Sequence, residues 1–352
     1  MNTIKFDNLF QFQKKSKIKA GDGFKLGEAK YPFYTSSNVL TKTIDEYLFE
    51  AESLIFGTGG LASIHFCNIK FAVSTDCFVT QPKNVKDVFC KYVYYYLSGN
   101  IHILENGFKG AGLKHISKDY LANIQIPLPP LPTQQKIASI LDAADTLRQK
   151  DKALLAKYDE LTQSLFLDMF GDPVSNPKGW EKVKLGLVTN MKAGKFIAAS
   201  DIFSENNNDM FSCYGGNGLR GFVKSHTHEG EFVLIGRQGA LCGNVKITNG
   251  KFHATEHAIV CSPIMKYQTL WLYYLLKMLN LNRFATGAAQ PGLNVGTLVD
   301  LEIMMVPYDL QNQFAERVAV IEEQKAIAQK SLEHSESLFN SLLQKAFKGE
   351  LV

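Results

Sequence analysis

The chain has 352 residues, 45% of them hydrophobic and 20% charged, which is the balance of a globular protein with enough material for two domains. Its 38 Lys and Arg residues only slightly exceed its 34 Asp and Glu residues, so a net charge of +4 excludes a uniformly basic nucleic-acid binder and any polyanion site must come from local clustering. No run of about 18 apolar residues predicts a membrane span and the first residues do not resemble a secretory signal, so we expect a cytoplasmic protein with no membrane partner.

The first element in chain order is a mixed α/β region, residues 1–130. Short β-branched and aromatic runs interrupted by polar residues, as in KFAVSTDCFVTQP (70–82), are typical of short strands. The run YVYYYL (92–97) predicts a helix buried in the core. The region ends at the proline-dense segment IPLPPLPTQQ (126–135), which predicts the end of a domain and the start of a helix.

The second element is a long helix, residues 131–171. Thr133 is its predicted N-cap, and the Gly and Pro of FGDP (170–173) predict its end. The helix has a 3-4 spaced apolar seam, typical of a coiled coil and interrupted only by Asp151. The expected seam residues are Ile137, Ile140, Ala144, Leu147, Leu154, Tyr158, Leu161 and Leu165.

A second mixed region, residues 172–308, and a second long helix, residues 309–352, repeat this plan. Asp309 is the predicted N-cap of the second helix. Lys325 and Ser335 interrupt its apolar seam, which is expected at Phe314, Val318, Ile321, Ala328, Leu332, Phe339, Leu342 and Ala346. At 1.5 Å per residue, each helix would be about 55 Å long.

The two halves of the chain share segments in the same order, about 179 residues apart. SLIFGTGG (53–60) aligns with FVLIGRQG (232–239), and YVYYYL aligns with WLYYLL (271–276). Matches in one order indicate an internal repeat. A helix this long cannot bury its whole apolar stripe on a small domain. It can bury the stripe against the other long helix, which carries a matching one. We therefore expect an α+β chain of two tandem mixed α/β domains, joined by two long helices in an antiparallel coiled coil with a pseudo-two-fold relation between the halves.

Four segments of the chain resemble the specificity subunit of type I restriction-modification systems. They are IPLPPLPTQQKIASILDAADTL (126–147), LDMFGDPVSNPKGWEKVKLG (167–186), GAAQPGLNVGTLVDLEI (287–303) and LLQKAFKGEL (342–351). The resemblance covers nearly the whole chain. The second junction, VPYDLQNQ (306–313), departs from the pattern because it has one proline where the first junction has four.

The resemblance implies a function without catalysis by this chain. Each mixed region would be a target-recognition domain that reads one half of a split, asymmetric sequence in double-stranded DNA. The helix pair would dock two methyltransferase subunits, with restriction subunits joining outside them. No cofactor and no metal are expected, because methylation and cleavage would reside in those partner subunits.

Two lysine-rich segments are candidates for phosphate contacts, which position a protein on DNA without reading sequence. The alternative for such segments is a solvated surface loop. The candidates are Lys14, Lys15 and Lys17 in the first region and Lys192 and Lys195 in the second.

Matched loops in the two regions are candidates for base contacts, since Asn can pair with adenine and Arg with guanine in the major groove. Ser, Gly and Asn also dominate ordinary turns, which is the alternative. Arg237 is the first choice, although it could equally form a surface ion pair. The candidates in these loops are Ser36, Ser37, Asn38, Thr58, Tyr214, Asn217, Arg220, Arg237 and Gln238, and further candidates for DNA contact outside them are Lys109, Lys114 and Gln290.

Two other classes of function stay open on the residues alone. A zinc-dependent hydrolase or nuclease could use SHTHEGEF (225–232) and HATEH (253–257). The second matches the H-x-x-E-H motif, which binds zinc only with helical spacing, and it lies in a strand-like run. A protein-interaction scaffold that binds no DNA is the third class.

Overall fold

The computed structural model describes residues 3–207, 209–239, 241–287 and 291–351. The chain folds as two compact units. Unit 1 comprises Met1–Ala153 and Gln329–Val352, and unit 2 comprises Leu154–Ala328. Each unit therefore contains one mixed α/β region and a part of both long helices.

Unit 1 contains twelve strands and four short helices among its described residues, followed by the start of the first long helix. The strands are β1 (Thr3–Lys5), β2 (Phe10–Phe12), β3 (Phe24–Lys25), β4 (Tyr31–Tyr34), β5 (Lys42–Ile44), β6 (Ser53–Gly57), β7 (Ile64–Cys67), β8 (Ala72–Val73), β9 (Cys77–Pro82), β10 (Phe108–Lys109), β11 (His115–Ile116) and β12 (Gln125–Pro127). The helices are α1 (Phe6–Leu9), α2 (Cys90–Gly99), α3 (His102–Glu105), α4 (Lys118–Asn123) and α5 (Leu131–Phe170).

Unit 2 repeats this order of elements. Its strands are β13 (Glu181–Lys184), β14 (Thr189–Ala193), β15 (Phe211–Gly215), β16 (Gly218–Val223), β17 (His228–Glu229), β18 (Phe232–Gly236), β19 (Val245–Thr248), β20 (Lys251–Ala254), β21 (Ala258–Pro263) and β22 (Glu302–Met305). Its helices are α6 (Leu185–Val188), α7 (Thr269–Met278), α8 (Val295–Val299) and the second long helix, α9 (Tyr308–Lys348).

The first sheets of the two units correspond strand by strand, and the second sheets share three strands, with β5, β4 and β8 corresponding to β16, β15 and β20. Unit 1 has an antiparallel sheet of order β2-β9-β6-β7 and a mixed sheet of order β3-β5-β4-β8. Unit 2 has the counterparts β14-β21-β18-β19 and β16-β15-β20-β17. The parallel pair β4–β8 in unit 1 corresponds to the parallel pair β15–β20 in unit 2. The internal repeat seen in the sequence is thus a repeat of fold.

The tyrosine-rich runs form buried helices, as predicted. In unit 1, Tyr92 and Leu97 of α2 are buried in the main core. In unit 2, Trp271 and Leu275 of α7 occupy the corresponding core. Each core also includes side chains from both long helices, so these helices are structural parts of each unit.

The two long helices pack antiparallel within each unit. In unit 1, the start of α5 packs on the end of α9, and the Arg148 guanidinium lies 4.3 Å from the Phe339 ring centroid. In unit 2, the end of α5 packs on the start of α9, where the Phe166 and Phe314 rings lie 5.6 Å apart. The expected antiparallel coiled coil joining two tandem α/β regions is confirmed.

The seam of α9 is confirmed, but the seam of α5 was predicted partly on the wrong face. Leu147, Leu154 and Leu161 are 45%, 40% and 49% exposed. The buried face of α5 lies beside them and includes Leu141, Asp151, Thr162, Phe166 and Met169. The apolar pattern favoured the leucines over Arg148 and Thr162, yet Arg148 packs on Phe339 and the Thr162 hydroxyl donates to the Tyr158 carbonyl at 3.1 Å. Local hydrogen bonds and cation–π packing thus make polar residues acceptable in the seam.

The predicted N-caps were wrong. The helices begin at Leu131 and Tyr308, so Thr133 and Asp309 lie inside their first turns. Both helices start directly after a proline, whose ring already fixes φ near the helical value. The predicted end is confirmed, since α5 stops at Phe170 and Gly171 adopts a φ of +81°.

A buried glutamine at each junction ties the helix to its unit. The Gln134 side chain accepts a 2.8 Å hydrogen bond from the Phe89 amide and donates to the Pro129 carbonyl at 2.8 Å. Gln311 accepts from the Gln268 amide at 2.8 Å and donates to the Val306 carbonyl at 2.9 Å. Both side chains are fully buried. The glutamine, rather than the number of prolines, is the feature that the two junctions share.

Candidate nucleic-acid interface

In unit 1, two hydroxyl groups from separate segments donate hydrogen bonds to one backbone carbonyl on a third segment. The Asp76 carbonyl accepts hydrogen bonds from the Ser36 hydroxyl at 2.8 Å and the Thr58 hydroxyl at 3.0 Å. The Thr58 amide donates to the same oxygen at 2.9 Å. We call this region edge 1, which comprises loops 35–38 and 57–60, turn 74–76 and hairpin 108–116. The predicted Ser36 and Thr58 are therefore neighbours.

The hairpin β10–β11 joins edge 1 through Thr58. The Ile116 amide and the His115 Nδ1 both donate to the Thr58 carbonyl, each at 3.1 Å. Lys109 pairs with His115 in this hairpin, and Lys114 directly precedes it. Both lysines are exposed. The structure thus brings Lys109 and Lys114, which were predicted to contact DNA, to the same edge as Ser36 and Thr58.

The first lysine-rich segment borders edge 1. The Thr75 amide donates to the Ile18 carbonyl at 2.8 Å, which places the segment after β2 against turn 74–76. Lys14, Lys15 and Lys17 on this segment are all exposed. Exposed ammonium groups beside a polar loop cluster are suited to contacts with phosphates.

Unit 2 builds the same backbone frame from different residues. The Arg237 amide donates to the His257 carbonyl at 2.9 Å, as the Thr58 amide does to the Asp76 carbonyl. The Leu293 amide donates to the Arg237 carbonyl at 2.8 Å, as the Ile116 amide does to the Thr58 carbonyl. We call this region edge 2, which comprises loops 214–217 and 236–239, turn 254–257 and segment 291–293.

Close backbone approach in edge 2 requires glycine. A Cβ added at Gly236 would lie 2.0 Å from the Gly216 carbonyl oxygen, and one added at Gly216 would lie 2.9 Å from the His257 carbonyl oxygen. The His257 oxygen accepts the hydrogen bond from the Arg237 amide, so its movement would break the frame. The glycines in the matched loops therefore serve the packing of the loops against each other.

An open cavity of about 430 Å³ lies at edge 2. Its polar lining combines Asn217, Arg220, Gln238 and His257. The Asn217 carboxamide oxygen accepts a 2.7 Å hydrogen bond from Asn244, which leaves the Asn217 amino group to face outward. Within the described ranges, no carboxylate lies within 4 Å of the Arg220 or Arg237 guanidinium. The surface ion pair considered for Arg237 does not form there.

The second lysine-rich segment borders edge 2 in the same way. The Lys195 amide donates to the Ala254 carbonyl at 2.8 Å, and Lys192 lies in β14. Both side chains are exposed.

Three predicted site residues contribute less to these edges, and a fourth is not among the described residues. Ser37 offers its carbonyl to His65, and Asn38 is exposed. The Tyr214 ring packs edge-on against Phe252, with the ring centroids 5.9 Å apart, and is partly buried against a core cluster. Gln290 lies outside the described residues.

Three supporting residues were missed by the sequence analysis. The His65 Nε2 donates to the Ser37 carbonyl at 2.8 Å, and the Ser63 hydroxyl donates to the Ser36 carbonyl at 3.2 Å. Burial lowers the pKa of the His65 imidazole, which favours the neutral ring. Asn244 supports Asn217 from a position equivalent to that of Ser63. All three lie in or just before strands, where no local sequence signal distinguishes them from sheet residues.

The histidines of the HATEH segment do not have the geometry of a helical zinc motif. His253 lies in strand β20, and its Nε2 donates to the Lys195 carbonyl at 3.1 Å. His257 lies in the following turn, 3.1 Å from a Glu256 carboxylate oxygen. In the parts of the chain that the structure describes, no group of three or more His, Cys, Asp or Glu side chains could hold a metal ion.

None of the described helices is long and apolar enough to cross a membrane.

Comparison with known families agrees with this duplicated architecture. A family model described as the type I restriction modification DNA specificity domain matches residues 1–157 and again residues 177–334. The chain belongs to this family. Both matches include one mixed α/β region and part of a long helix.

Two members of the family align with much of the chain. The specificity subunit of the type I restriction enzyme EcoprrI of Escherichia coli is 31% identical over 259 residues, which is 70% of this chain and 63% of that protein. The specificity subunit of the type I restriction enzyme MjaVIII of Methanocaldococcus jannaschii is 24% identical over 340 residues, which is 86% of this chain and 79% of that protein. The alignment thus spans less than two thirds of the Escherichia coli relative.

A solved structure has the same fold. The crystal structure of the type I restriction-modification system S subunit from M. genitalium covers 98% of this chain and 95% of its own, with a TM-score of 0.66 and 18% identity. At this level of identity the likeness concerns the fold.

Proposed function

We propose that this chain is the DNA sequence-recognition subunit of a type I restriction-modification complex. In this proposal each unit reads one half of a split target in double-stranded DNA. The observation that carries it is the repeated backbone frame of edges 1 and 2, which presents Ser36 and Thr58 in one unit and Arg220 and Arg237 in the other. One frame with two sets of side chains suits a target whose halves differ, because different side chains read different base edges.

The predicted site residues divide into two roles. The exposed lysines border both edges and would neutralise phosphates, namely Lys14, Lys15, Lys17, Lys109, Lys114, Lys192 and Lys195. The polar residues of the loops would contact bases, namely Ser36, Ser37, Asn38, Thr58, Tyr214, Asn217, Arg220, Arg237, Gln238 and Gln290.

We assign catalysis to partner subunits. The helix pair leaves large apolar side chains exposed on both helices, Leu147, Leu154 and Leu161 on α5 and Val320 and Ile327 on α9. Regular exposed apolar side chains of this kind suit a surface covered by another protein. We therefore place two methyltransferase subunits on the helix pair and restriction subunits outside them, in a cytoplasmic complex without a cofactor bound to this chain.

The test is co-expression of the full chain with its methyltransferase in a host free of DNA methylation, followed by mapping of modified adenines. A split, non-palindromic motif is expected. Replacement of residues 1–130 by the corresponding segment of another family member should change one half of that motif. If the two proteins associate and no new methylation is found, the proposal is wrong.

A further inference from the structure

Around Asp76, edge 1 presents hydrogen-bond acceptors. A hydroxyl carries one proton, and those of Ser36 and Thr58 both point to the Asp76 carbonyl, 2.8 Å and 3.0 Å away. A carbonyl oxygen can only accept, so the direction of both bonds is fixed. Only the lone pairs of the two hydroxyl oxygens remain for a ligand.

The Asp76 side chain adds a third acceptor to edge 1. Asp76 is exposed on the same turn, and an ionised carboxylate has no proton to donate. In the described part of the chain, the Asp76 carboxylate has no hydrogen-bond donor and no cation within 4 Å. Phosphates repel an unpaired carboxylate, and a hydrogen bond from a base amino group is one contact that offsets this repulsion.

The acceptors of edge 1 are not a requirement of the backbone frame. In edge 2 the corresponding turn carries His257 in place of Asp76, and Arg237 stands in place of Thr58. The outward-facing groups of edge 2 include the Asn217 amino group and the Arg220 and Arg237 guanidinium groups, which are donors and have no carboxylate within 4 Å among the residues that the structure describes. At the matching position of the frame, edge 1 thus offers acceptors at Asp76, Ser36 and Thr58, whereas edge 2 offers the Arg237 guanidinium, which is a donor.

We propose that the Asp76 carboxylate accepts a hydrogen bond from the N4 amino group of a cytosine in the half-site bound by unit 1, beside the Ser36 and Thr58 hydroxyl oxygens, whose protons are already donated to the Asp76 carbonyl. The inference rests on the proposed function and names the base chemistry of one half-site. In the major groove only cytosine and adenine offer an amino group. Adenine presents its N7 acceptor beside that group, which repels a carboxylate, whereas the groove edge of cytosine itself offers only the donor.

The test compares full-length variants in complex with the methyltransferase, on duplex libraries that are randomised at one position at a time. The wild-type motif is expected to contain a C·G pair in the half that changes when residues 1–130 are exchanged. Asp76→Asn and Asp76→Ala should reduce discrimination at that pair by about tenfold or more. The affinity for DNA averaged over the whole library should not fall, because the substitutions remove a negative charge that the phosphates repel.

Asp45→Asn is the matched control, because it removes the same charge from an exposed residue of unit 1. Asp45 follows β5, whose Ile44 pairs with Tyr31, so it lies at the end of β4 opposite to Ser36. It should leave the motif unchanged. Three results would each overturn the inference and leave the proposed function standing. They are a half-site without cytosine, unchanged discrimination in both Asp76 variants, and an equal loss of discrimination in Asp45→Asn. If the wild-type complex makes no split motif, the proposed function fails and the inference fails with it.

Discussion

Single residues behind the loops of edge 1 hold the backbone in place. His65 illustrates this, because its ring donates to the Ser37 carbonyl and packs on Tyr34, with ring centroids 5.0 Å apart. Burial disfavours its charged form and lowers its pKa in the folded protein. Its titration is therefore linked to folding.

The sign of this linkage gives a prediction about pH. The unfolded imidazole takes up a proton near pH 6.5, about its ordinary pKa, whereas the folded one does so only at lower pH. Below about pH 6.5 the unfolded state thus binds more protons, and the free energy of unfolding of unit 1 should fall as the pH drops. His65→Gln keeps a donor for the Ser37 carbonyl and should flatten this slope, measured by hydrogen exchange of unit 1 between pH 7 and 5. Replacement of the exposed His102 by Gln is the control, and an identical slope in wild type and His65→Gln would refute the linkage.

At the scale of elements, the buried face of a long helix could be predicted where the sequence has one apolar stripe, but not where it has two. The seam of α9 was predictable because Phe314, Val318 and Ala328 lie on one stripe. The helix α5 carries two neighbouring apolar stripes, and only contacts such as that between Arg148 and Phe339 decide which is buried. The loops of the site were found by the repeat, because their order is shared. Asp76 was missed because it lies in a run that reads as a buried strand and turn, and its exposure depends on tertiary structure.

The exposed leucines of α5 lead to a prediction about assembly. Leu154 and Leu161 are seven residues apart on the same helix and leave 40% and 49% of their surface exposed. Burial of one such side chain in an interface contributes about 1–2 kcal/mol, so Leu154→Glu together with Leu161→Glu should weaken methyltransferase binding by about 100-fold or more. Ala156→Glu together with Gln163→Glu adds the same charge at other exposed positions of α5 and is the matched control. Calorimetric titration measures the affinities, and equal affinity of the leucine variant and wild type would exclude this face as the docking surface.

At the scale of the whole molecule, unit 1 is not continuous in sequence. Its core is completed by residues 329–352, since Phe339 and Ala346 of α9 are buried against its N-terminal part. Phe339 contacts the Tyr95 ring at 6.2 Å and the Arg148 guanidinium at 4.3 Å. Unit 2 is one continuous segment, and Phe314 is its corresponding contribution from α9, with the Phe170 ring 5.3 Å away. Stability of the N-terminal mixed α/β region therefore depends on residues 329–352.

This discontinuity predicts a crossed pattern of local unfolding. Phe339→Ala removes a buried aromatic ring from unit 1 and should destabilise it by about 3–5 kcal/mol, although the substitution lies more than 180 residues from most of that unit. Phe314→Ala, in the same helix, should destabilise unit 2 by a similar amount. Hydrogen exchange followed by mass spectrometry can assign the loss of protection to peptides of each unit. Faster exchange in peptides of β6 and α2 is expected for Phe339→Ala, and in peptides of β18 and α7 for Phe314→Ala. If both variants increased exchange in the same peptides, the two units would unfold together, and the predicted crossed pattern would be wrong.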